Sequence, residues 1–216
     1  MKVSIIIPVF NVAPYIADCL RSVMRQTYTD NMECLIVDDC GTHDSIAMAE
    51  RMIADYKGAI RFQILYHERN KGLSAARNTG TEAATGEYLY YLDSDDEIME
   101  DCIERLMGMV TDHPGVEMVQ GNVCRHLMRG GSVNLVKDVL VPLAESNGEV
   151  RRCRCQYKQI NVYVWNKLLK RDFVVNNRIL CKEGLLYEDQ LWVFYLLKYL
   201  ESAVFVTCKL ICKKVK

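Results

Sequence analysis

Apolar residues in the first half of the chain fall into short unbroken runs, which are typical of strands buried on both faces of a sheet. Tyr88 to Leu92 is the clearest run, with five apolar or aromatic residues behind the turn signal Gly86-Glu87. Three further runs have the same character: Val3 to Phe10, Cys34 to Val37, and Arg61 to Tyr66.

Between these runs the apolar spacing becomes helical. Ile16, Leu20 and Val23 share one helical face, and Asp44 is expected to cap the next helix. Further helices are predicted for Leu73 to Ala84 and Ile98 to Val110. The repeated alternation of strand and helix predicts an α/β fold, with a Rossmann-like, mostly parallel sheet flanked by helices on both faces.

Beyond about residue 122 the pattern changes. Gly130-Gly131 predicts a hairpin turn, and residues 142–155 are polar and indicate a loop. The remaining expectations are helices at Val162 to Leu169 and Gln190 to Leu200, and closing strands at Val204 to Val206 and Leu210 to Ile211. We expect one domain over residues 1–216, whose second half, from about residue 123, elaborates on the sheet of the first.

Two acidic clusters follow predicted strands. Asp38 and Asp39 end one strand, and Asp93, Asp95 and Asp96 end another. Because neighbouring carboxylates repel one another when water is partly excluded, a divalent cation is the simplest remedy, although an acidic cap on the following helix also explains them. Parallel strands bring their carboxyl ends to one edge of the sheet, so convergence of the clusters there favours the cation.

Composition excludes several classes of function. The 216 residues carry 27 Lys and Arg against 28 Asp and Glu, so a net charge of -1 supplies no global field toward nucleic acid. The apolar start, interrupted by Pro8, is too short for a membrane span or a signal peptide, so a cytoplasmic protein is expected. The ten cysteines lack zinc-site spacing and are expected to be reduced.

Motifs in a fixed order carry a family resemblance. They are Ser4 to Asn11, Val37-Asp38-Asp39 with Asp44, Asn70 to Gly80, Gly86 to Tyr88 with Leu92 to Asp96, Trp165 to Leu168, and Glu183-Gly184 with Glu188-Asp189. Together they resemble family 2 glycosyltransferases of the GT-A fold, of the bacterial type that builds surface polysaccharides. The resemblance implies transfer of a sugar from a nucleotide-diphosphate donor, UDP-linked in the favoured case, to a glycan or lipid-linked acceptor.

The resemblance also implies roles for residues of the first half. Pro8, Phe10 and Asn11 would line the pocket for the nucleotide base, with Phe10 stacking on it, although Phe10 could equally pack in the core. Asp38 or Asp39 would accept a hydrogen bond from base or ribose, with a turn-forming Asp as the alternative. Arg77 would contact the base or the phosphate, with a surface salt bridge as the alternative. Asp93, Ser94 and Asp95 form the DxD motif and would bind the nucleotide sugar.

The implied cofactor is Mn²⁺ or Mg²⁺. Asp95 would be its principal ligand, and Asp93 would reach the ribose or a metal-bound water, while Asp96 caps a helix. Transfer with inversion needs a base, for which Asp189 stands in the family's position, unless the Glu188-Asp189 pair caps the following helix. Lys167 could meet the diphosphate, but a solvated position near an exposed helix end is the preferred interpretation.

Some departures and rivals remain. Cys40-Gly41-Thr42 replaces the usual Gly-Ser-Thr of the family, and the chain ends at Lys216, where many relatives continue, so truncation is a further expectation. A sugar-nucleotide nucleotidylyltransferase would show a glycine-rich phosphate loop after the first strand, where this chain has Asn11 to Pro14. A non-catalytic nucleotide-sugar binding module and a receiver-like domain are two further rivals. The basic strip Arg151 to Arg154 could attract a membrane surface, or be a solvated loop.

Overall fold

One mixed sheet organises the molecule. The computed structural model describes residues 1–29, 31–126, 132–134 and 139–214, and ten strands of these residues join the sheet. The strands are β1 (Val3–Val9), β2 (Met32–Asp38), β3 (Arg61–Tyr66), β4 (Tyr88–Tyr91), β5 (Asp96–Ile98), β6 (Met118–His126), β7 (Ser132–Asn134), β8 (Leu143–Ala144), β9 (Lys167–Lys170) and β10 (Ala203–Lys214).

Seven helices of the described residues flank this sheet. They are α1 (Ala13–Met24), α2 (Ser45–Asp55), α3 (Leu73–Ala83), α4 (Cys102–Asp112), α5 (Asn147–Cys155), α6 (Arg171–Asn176) and α7 (Glu188–Tyr199). Residues of α1, α2 and α4 pack on one face of the sheet, and residues of α5, α6 and α7 pack on the other. The predicted arrangement of helices on both faces is therefore confirmed.

The strand order is β3-β2-β1-β4-β9-β6-β10-β5, with β7 on β6 and β8 on β10. The first four strands are parallel to one another, as their sequence predicts. Strand β9 then enters antiparallel between β4 and β6, so a strand from the second half completes the sheet of the first. All seven residues of β1 are buried, which explains why this strand is apolar on both faces.

Helix α3 lies unusually close to the sheet at Gly80. A Cβ atom at this position would stand 2.4 Å from Ile6 Cγ2, a distance that real Cβ atoms do not adopt. Ala75 and Ala76, both buried, belong to the same helix. Small residues thus allow α3 to approach β1 closely.

Several predicted boundaries are wrong. Residues 142–155 are not all loop, because α5 begins after Ser146, whose side chain accepts a hydrogen bond from Glu149 N. Glu149 Oε2 accepts from Glu145 N, one residue before the cap, at 2.9 Å, so side chains in this polar stretch bind backbone N–H groups at the start of the helix. Val162 to Leu169 is not a helix: residues 161–166 are irregular and β9 follows.

Three smaller corrections concern the acids and the last strands. Helix α4 begins at Cys102, so Ile98 and Asp96 belong to β5, and Asp96 caps no helix. Asp44 occupies the N-cap position of α2 without a side-chain hydrogen bond. The two predicted closing strands are parts of β10, which is irregular between Phe205 and Ile211.

The two strands of the predicted hairpin are present. β6 and β7 pair antiparallel, whereas Gly130-Gly131 lies outside the described residues. The eight cysteines whose side chains the structure describes are free thiols. Within the described ranges, none of the helices has both the length and the apolar character needed to span a bilayer.

Candidate active site

A cleft opens where β1, β2 and β4 end. It has a volume of about 500 Å³ and lies at the carboxyl edge of the parallel strands, where ligands bind in open α/β sheets. Asp39 of the first acidic cluster meets Asp93 and Asp95 of the second there, although more than fifty residues separate them in sequence. The lining residues are Pro8, Val9, Phe10, Val12, Asp39, Asn70, Gly72, Leu73, Ala76, Asp93, Ser94 and Asp95.

Phe10 is an exposed wall of this cleft. Its exposed fraction is 46%, although the seven strand residues before it are all buried. Packing of Phe10 in the core is therefore wrong. An aromatic ring left open to solvent beside polar groups suits stacking on a flat ligand.

Asp39 forms the buried floor, with an exposed fraction of 2%. Its Oδ1 accepts from Lys71 N at 2.8 Å and its Oδ2 accepts from Gly72 N at 2.8 Å. His67 Nδ1 lies 2.8 Å from Oδ1, and His67 Nε2 lies 2.9 Å from Thr79 Oγ1. These contacts fix the carboxylate in one orientation, as a recognition site requires.

His67 belongs to the site although no motif in the sequence points to it. It is buried, and it directly follows β3 at the same sheet edge as Asp39. Its place one residue after a parallel strand is the signal that sequence reasoning could have used.

Asn11 is not among the residues that line the cleft, contrary to expectation, and neither is Asp38, for which the turn-forming alternative applies. Asn11 Oδ1 accepts from Thr42 N at 2.8 Å and from His43 N at 3.2 Å, and Asp38 Oδ1 accepts from Gly41 N at 3.3 Å. Both side chains therefore shape the turn after β2. A Cβ at Gly41 would lie 3.0 Å from Asn11 Oδ1, so the turn is built around a small residue.

The second cluster has the donor set of a hard cation site. One carboxylate oxygen from each of Asp93, Asp95 and Asp96 lies within 4.8 Å of the others. Carboxylate oxygens suit Mg²⁺ and Mn²⁺ better than softer metals. Asp93 and Asp95 also line the cleft, so they fit the predicted role of holding a cation beside a bound ligand.

Arg77 joins this cluster to α7. Its side chain is only 4% exposed, and it donates to Asp93 Oδ1 at 2.8 Å and to Glu188 Oε1 at 2.7 Å. Burial lowers the pKa of Arg77, but the neighbouring charges, chiefly Asp93, outweigh burial and raise the pKa overall. Arg77 is therefore neither a surface ion pair nor a lining residue of the cleft, which differs from both roles expected of it.

Asp189 lies in the first turn of α7, next to Glu188. Its Oδ1 is buried and has no hydrogen-bond partner among the residues that the structure describes. The alternative, that the pair caps the helix, is not supported, because Tyr187 is the N-cap residue and makes no side-chain cap. Asp189 therefore stands next to Glu188, the partner of Arg77, with one buried oxygen whose hydrogen-bonding capacity is unused among the described residues.

Lys167 is not solvated at a helix end, as the sequence suggested. It begins β9 and is fully buried. Its ammonium is therefore not exposed to the open cleft.

The fold and the cleft together define a GT-A protein, an α/β sheet with a polar ligand site at its carboxyl edge. Over 100% of this chain and 59% of the other, it superposes on Staphylococcus aureus TarS crystallised with UDP-GlcNAc, with a TM-score of 0.80 and 21% identity. At that identity the likeness shows a shared fold.

The sequence model described as Glycosyl transferase family 2 matches residues 4–174. The chain therefore belongs to glycosyl transferase family 2, and the family resemblance of its motifs is confirmed. It is 30% identical to Escherichia coli glycosyltransferase YibD over 88% of this chain and 55% of YibD. It is also 38% identical to a Bacillus subtilis protein named as the putative teichuronic acid biosynthesis glycosyltransferase TuaG, over 48% of this chain and 39% of TuaG. The chain spans about half the length of the curated relatives it matches, or less.

Proposed function

We propose that this protein is an inverting glycosyltransferase that uses a nucleotide-diphosphate sugar, with UDP as the favoured nucleotide. The observation that carries the proposal is the single cleft in which Phe10, Asp39, Asp93 and Asp95 converge. Family membership and the UDP-GlcNAc complex of TarS support it.

In this proposal the donor lies along the cleft. The base stacks on Phe10 near Pro8, and Asp39 accepts a hydrogen bond from the base or the ribose. Because Lys71 N, Gly72 N and His67 hold Asp39, its carboxylate is oriented before the ligand arrives. Ser94 lies between the two acids that face the diphosphate.

Asp95, with help from Asp93, would hold Mg²⁺ or Mn²⁺. When bound there, the cation would neutralise charge on the diphosphate leaving group. Arg77 holds Asp93 in place through one of its two ion pairs, so that the acids keep a fixed geometry.

Asp189 is the proposed general base. Its carboxylate takes the proton of the acceptor hydroxyl as the new bond to the anomeric carbon forms and the bond to the diphosphate breaks. The Arg77 bridge supports this assignment, because it ties Glu188, the neighbour of Asp189, to Asp93 of the donor cleft. The reacting groups are thus held within one connected unit.

The proposed acceptor is a hydroxyl of a glycan or of a lipid-linked saccharide, with the second half of the chain on the acceptor side. The name of TuaG, which refers to teichuronic acid biosynthesis, supports a polysaccharide acceptor. The proposal places the transfer reaction in the cytoplasm, at the inner face of the membrane.

The rival functions make different predictions. A nucleotidylyltransferase needs a phosphate-binding loop after β1, where this chain has Asn11 holding a turn and α1 beginning at Ala13. A non-catalytic binding module would bind nucleotide without product. Substitutions of Asp95 and Asp189 distinguish the glycosyltransferase from these two rivals.

Titration of the protein with UDP, with and without Mn²⁺, tests the donor site. We expect metal-dependent binding that Asp95→Asn weakens at least about tenfold, because one charged ligand is removed. Asp112→Asn, at the exposed end of α4, is the matched control and leaves binding unchanged. Metal-independent binding, or none, would refute the proposed site.

A screen of nucleotide sugars, measuring release of nucleotide diphosphate with a glycan acceptor, tests turnover. Asp189→Asn should lower the rate on the order of a hundredfold or more while UDP binding persists, because the proton acceptor is lost. Asp172→Asn, an exposed acid in the first turn of α6, should change nothing. Full activity in Asp189→Asn would exclude Asp189 as the base.

A further inference from the structure

The segment that leads into α7 is held at both ends by two consecutive residues of α3. At the first end, the side chain of Asn78 accepts a hydrogen bond from Cys181 N and donates one to Cys181 O, both at 2.9 Å. At the second end, Arg77 donates to Glu188 Oε1 at 2.7 Å. Residues 181–188 are called the α7 entry segment below. The proposed mechanism leaves Asn78 unused.

Between its two anchors the α7 entry segment lies on the surface. Residues 182–187 are all exposed, and they contain neither helix nor strand. Cys181, by contrast, is buried, and Glu188 is partly buried. Exposed irregular backbone has little packing to hold it, so the course of this segment depends on the contacts at its ends.

The residue just before the second anchor has a strained backbone. Tyr187 has a φ of 60° and a ψ of 45°, the left-handed conformation that residues other than glycine rarely adopt. Its side chain is 79% exposed, so burial of the ring does not select this conformation. Such strain persists where neighbouring contacts enforce it, and the ion pair of Glu188 with Arg77 is the contact at the next residue.

The second anchor lies beside the donor cleft. Arg77 is buried, and its other terminal nitrogen donates to Oδ1 of Asp93, an acid that lines the cleft, at 2.8 Å. One guanidinium therefore separates Glu188 from the acids of the cleft. Asp189, the proposed base, follows Glu188 directly in the chain. The contacts of the α7 entry segment thus determine where Asp189 stands relative to the cleft.

We propose that Asn78 and Glu188 are positioning residues for the base. Asn78 fixes the start of the α7 entry segment against α3, and Glu188 fixes its end at the donor cleft, so that Asp189 is presented to the acceptor hydroxyl in one orientation. Neither positioning residue touches donor or acceptor. The inference rests on the proposed function, since it assigns both residues a task in the same reaction.

The origin of both anchors in one helix gives the arrangement its precision. Helix α3 packs closely on β1 at Gly80, so its residues are fixed relative to the sheet. Because Arg77 and Asn78 are consecutive, the same short stretch of α3 holds Asp93 of the cleft and both ends of the α7 entry segment. The donor acid and the base helix are therefore aligned by one rigid element.

The kinetic test uses Asn78→Ala and Glu188→Gln. Asn78→Ala removes two hydrogen bonds but no charge, so we expect kcat to fall about tenfold or more while UDP affinity stays within about twofold. Glu188→Gln should lower kcat by a larger factor than it lowers UDP affinity. Glu183→Gln, which changes an exposed acid of the same segment, is the matched control and should change neither quantity.

A kcat that stays within about twofold of the native value in Asn78→Ala would overturn the proposal. A loss that appears only in UDP affinity or in the KM of the donor would also overturn it, because the residues would then act on the donor site and not on the base.

A second measurement needs no activity. Amide hydrogen exchange reports local opening, and peptides that cover α7 should exchange at least about fivefold faster in Asn78→Ala and in Glu188→Gln than in the native protein. Peptides that cover α4 should exchange at the native rate in both variants, and Glu183→Gln should leave both helices unchanged. Native exchange of α7 in both anchor variants would overturn the anchoring.

The test does not depend on a single variant. If Asn78→Ala does not fold, Glu188→Gln decides, because it keeps the size of the side chain and removes only its charge. If the exchange of α7 responds as expected while the native protein transfers no sugar in the donor screen, the proposed function fails and the anchoring stands. If the native protein transfers sugar while neither kcat nor exchange responds, the anchoring fails and the proposed function stands.

Discussion

Asp39 in the cleft and Asp189 in α7 differ in how their buried carboxylate oxygens are hydrogen-bonded. Asp39 in the cleft is held by two backbone N–H groups and by His67, so its carboxylate is fixed without a ligand. Asp189 has a buried oxygen without a hydrogen-bond partner among the described residues, and the buried Asn161 Nδ2 likewise has none there. The carboxylate of Asp39 is thus preorganised, whereas Asp189 and Asn161 keep unused hydrogen-bonding capacity.

The largest expected effect concerns the rigid side of this comparison. Gly80→Val should lower the free energy of unfolding by about 3 kcal/mol, because its side chain would collide with Ile6 on β1. Gly108→Ala, also within a helix but with no atom within 4 Å of the added Cβ, should be neutral or stabilising by up to about 1 kcal/mol. Denaturant unfolding measures both. Equal effects would show that α3 can move away from the sheet.

The next effect depends on pH. Burial alone would raise the pKa of Glu33, but hydrogen bonds from Lys2, Ser4 and Thr85 lower it from 4.5 to about 2. The ionised form is therefore stabilising above pH 4.5, and this contribution is lost as the pH falls from 4.5 toward 2.

Glu33→Gln should consequently cost on the order of 2 kcal/mol at pH 7 and progressively less toward pH 2. Unfolding free energies measured across this range check the expectation. Glu82→Gln, at an exposed position of α3, serves as the control. A cost for Glu33→Gln that does not change with pH would mean that these bonds do not depend on the charge of Glu33.

A smaller effect should distinguish preorganisation from simple contact. His67→Phe removes a hydrogen bond to Asp39 without touching the cleft wall, so UDP should bind roughly tenfold more weakly. His113→Phe, just beyond α4, should bind normally. If His67→Phe binds UDP as the native protein does, the two backbone contacts alone orient Asp39.

The smallest effect lies in the second half. Ser146→Ala removes the side-chain cap of α5 and should cost about 1 kcal/mol. Asp44→Ala, at an N-cap position of α2 without a side-chain bond, should cost less. Thermal unfolding of both variants provides the comparison, and the reverse order would show that Asp44 caps its helix in solution.

The same contrast explains what could be predicted from sequence. Strands β1 to β4 and helices α1 to α3 repeat local patterns, so their order, direction and common edge follow from periodicity. The segment from Val162 to Leu169 has an apolar content compatible with a helix, but tertiary pairing with β4 and β6 makes its last residues a strand. No local signal reveals a strand whose partners lie some fifty to eighty residues away.

The site was predictable to a similar degree. Phe10, Asp39, Asp93 and Asp95 follow strands, so topology alone gathers them into one cleft. The role of His67 depends on which side chains meet in space, Asp39 and Thr79 in this case, and spacing along the chain does not contain that information. Asn11 and Asp38 lie in the motif that the family resemblance marks, yet they serve the turn after β2.

The insertion of β9 beside β4 has a consequence for biosynthesis. Until Lys167–Lys170 has left the ribosome, the edge of β4, the strand that ends just before Asp93 and Asp95, has no antiparallel neighbour. A nascent chain of about 120 residues therefore exposes an apolar, unpaired edge, the kind of surface that chaperones cover. Completion of the sheet beside the cleft is thus delayed until β9 has been translated.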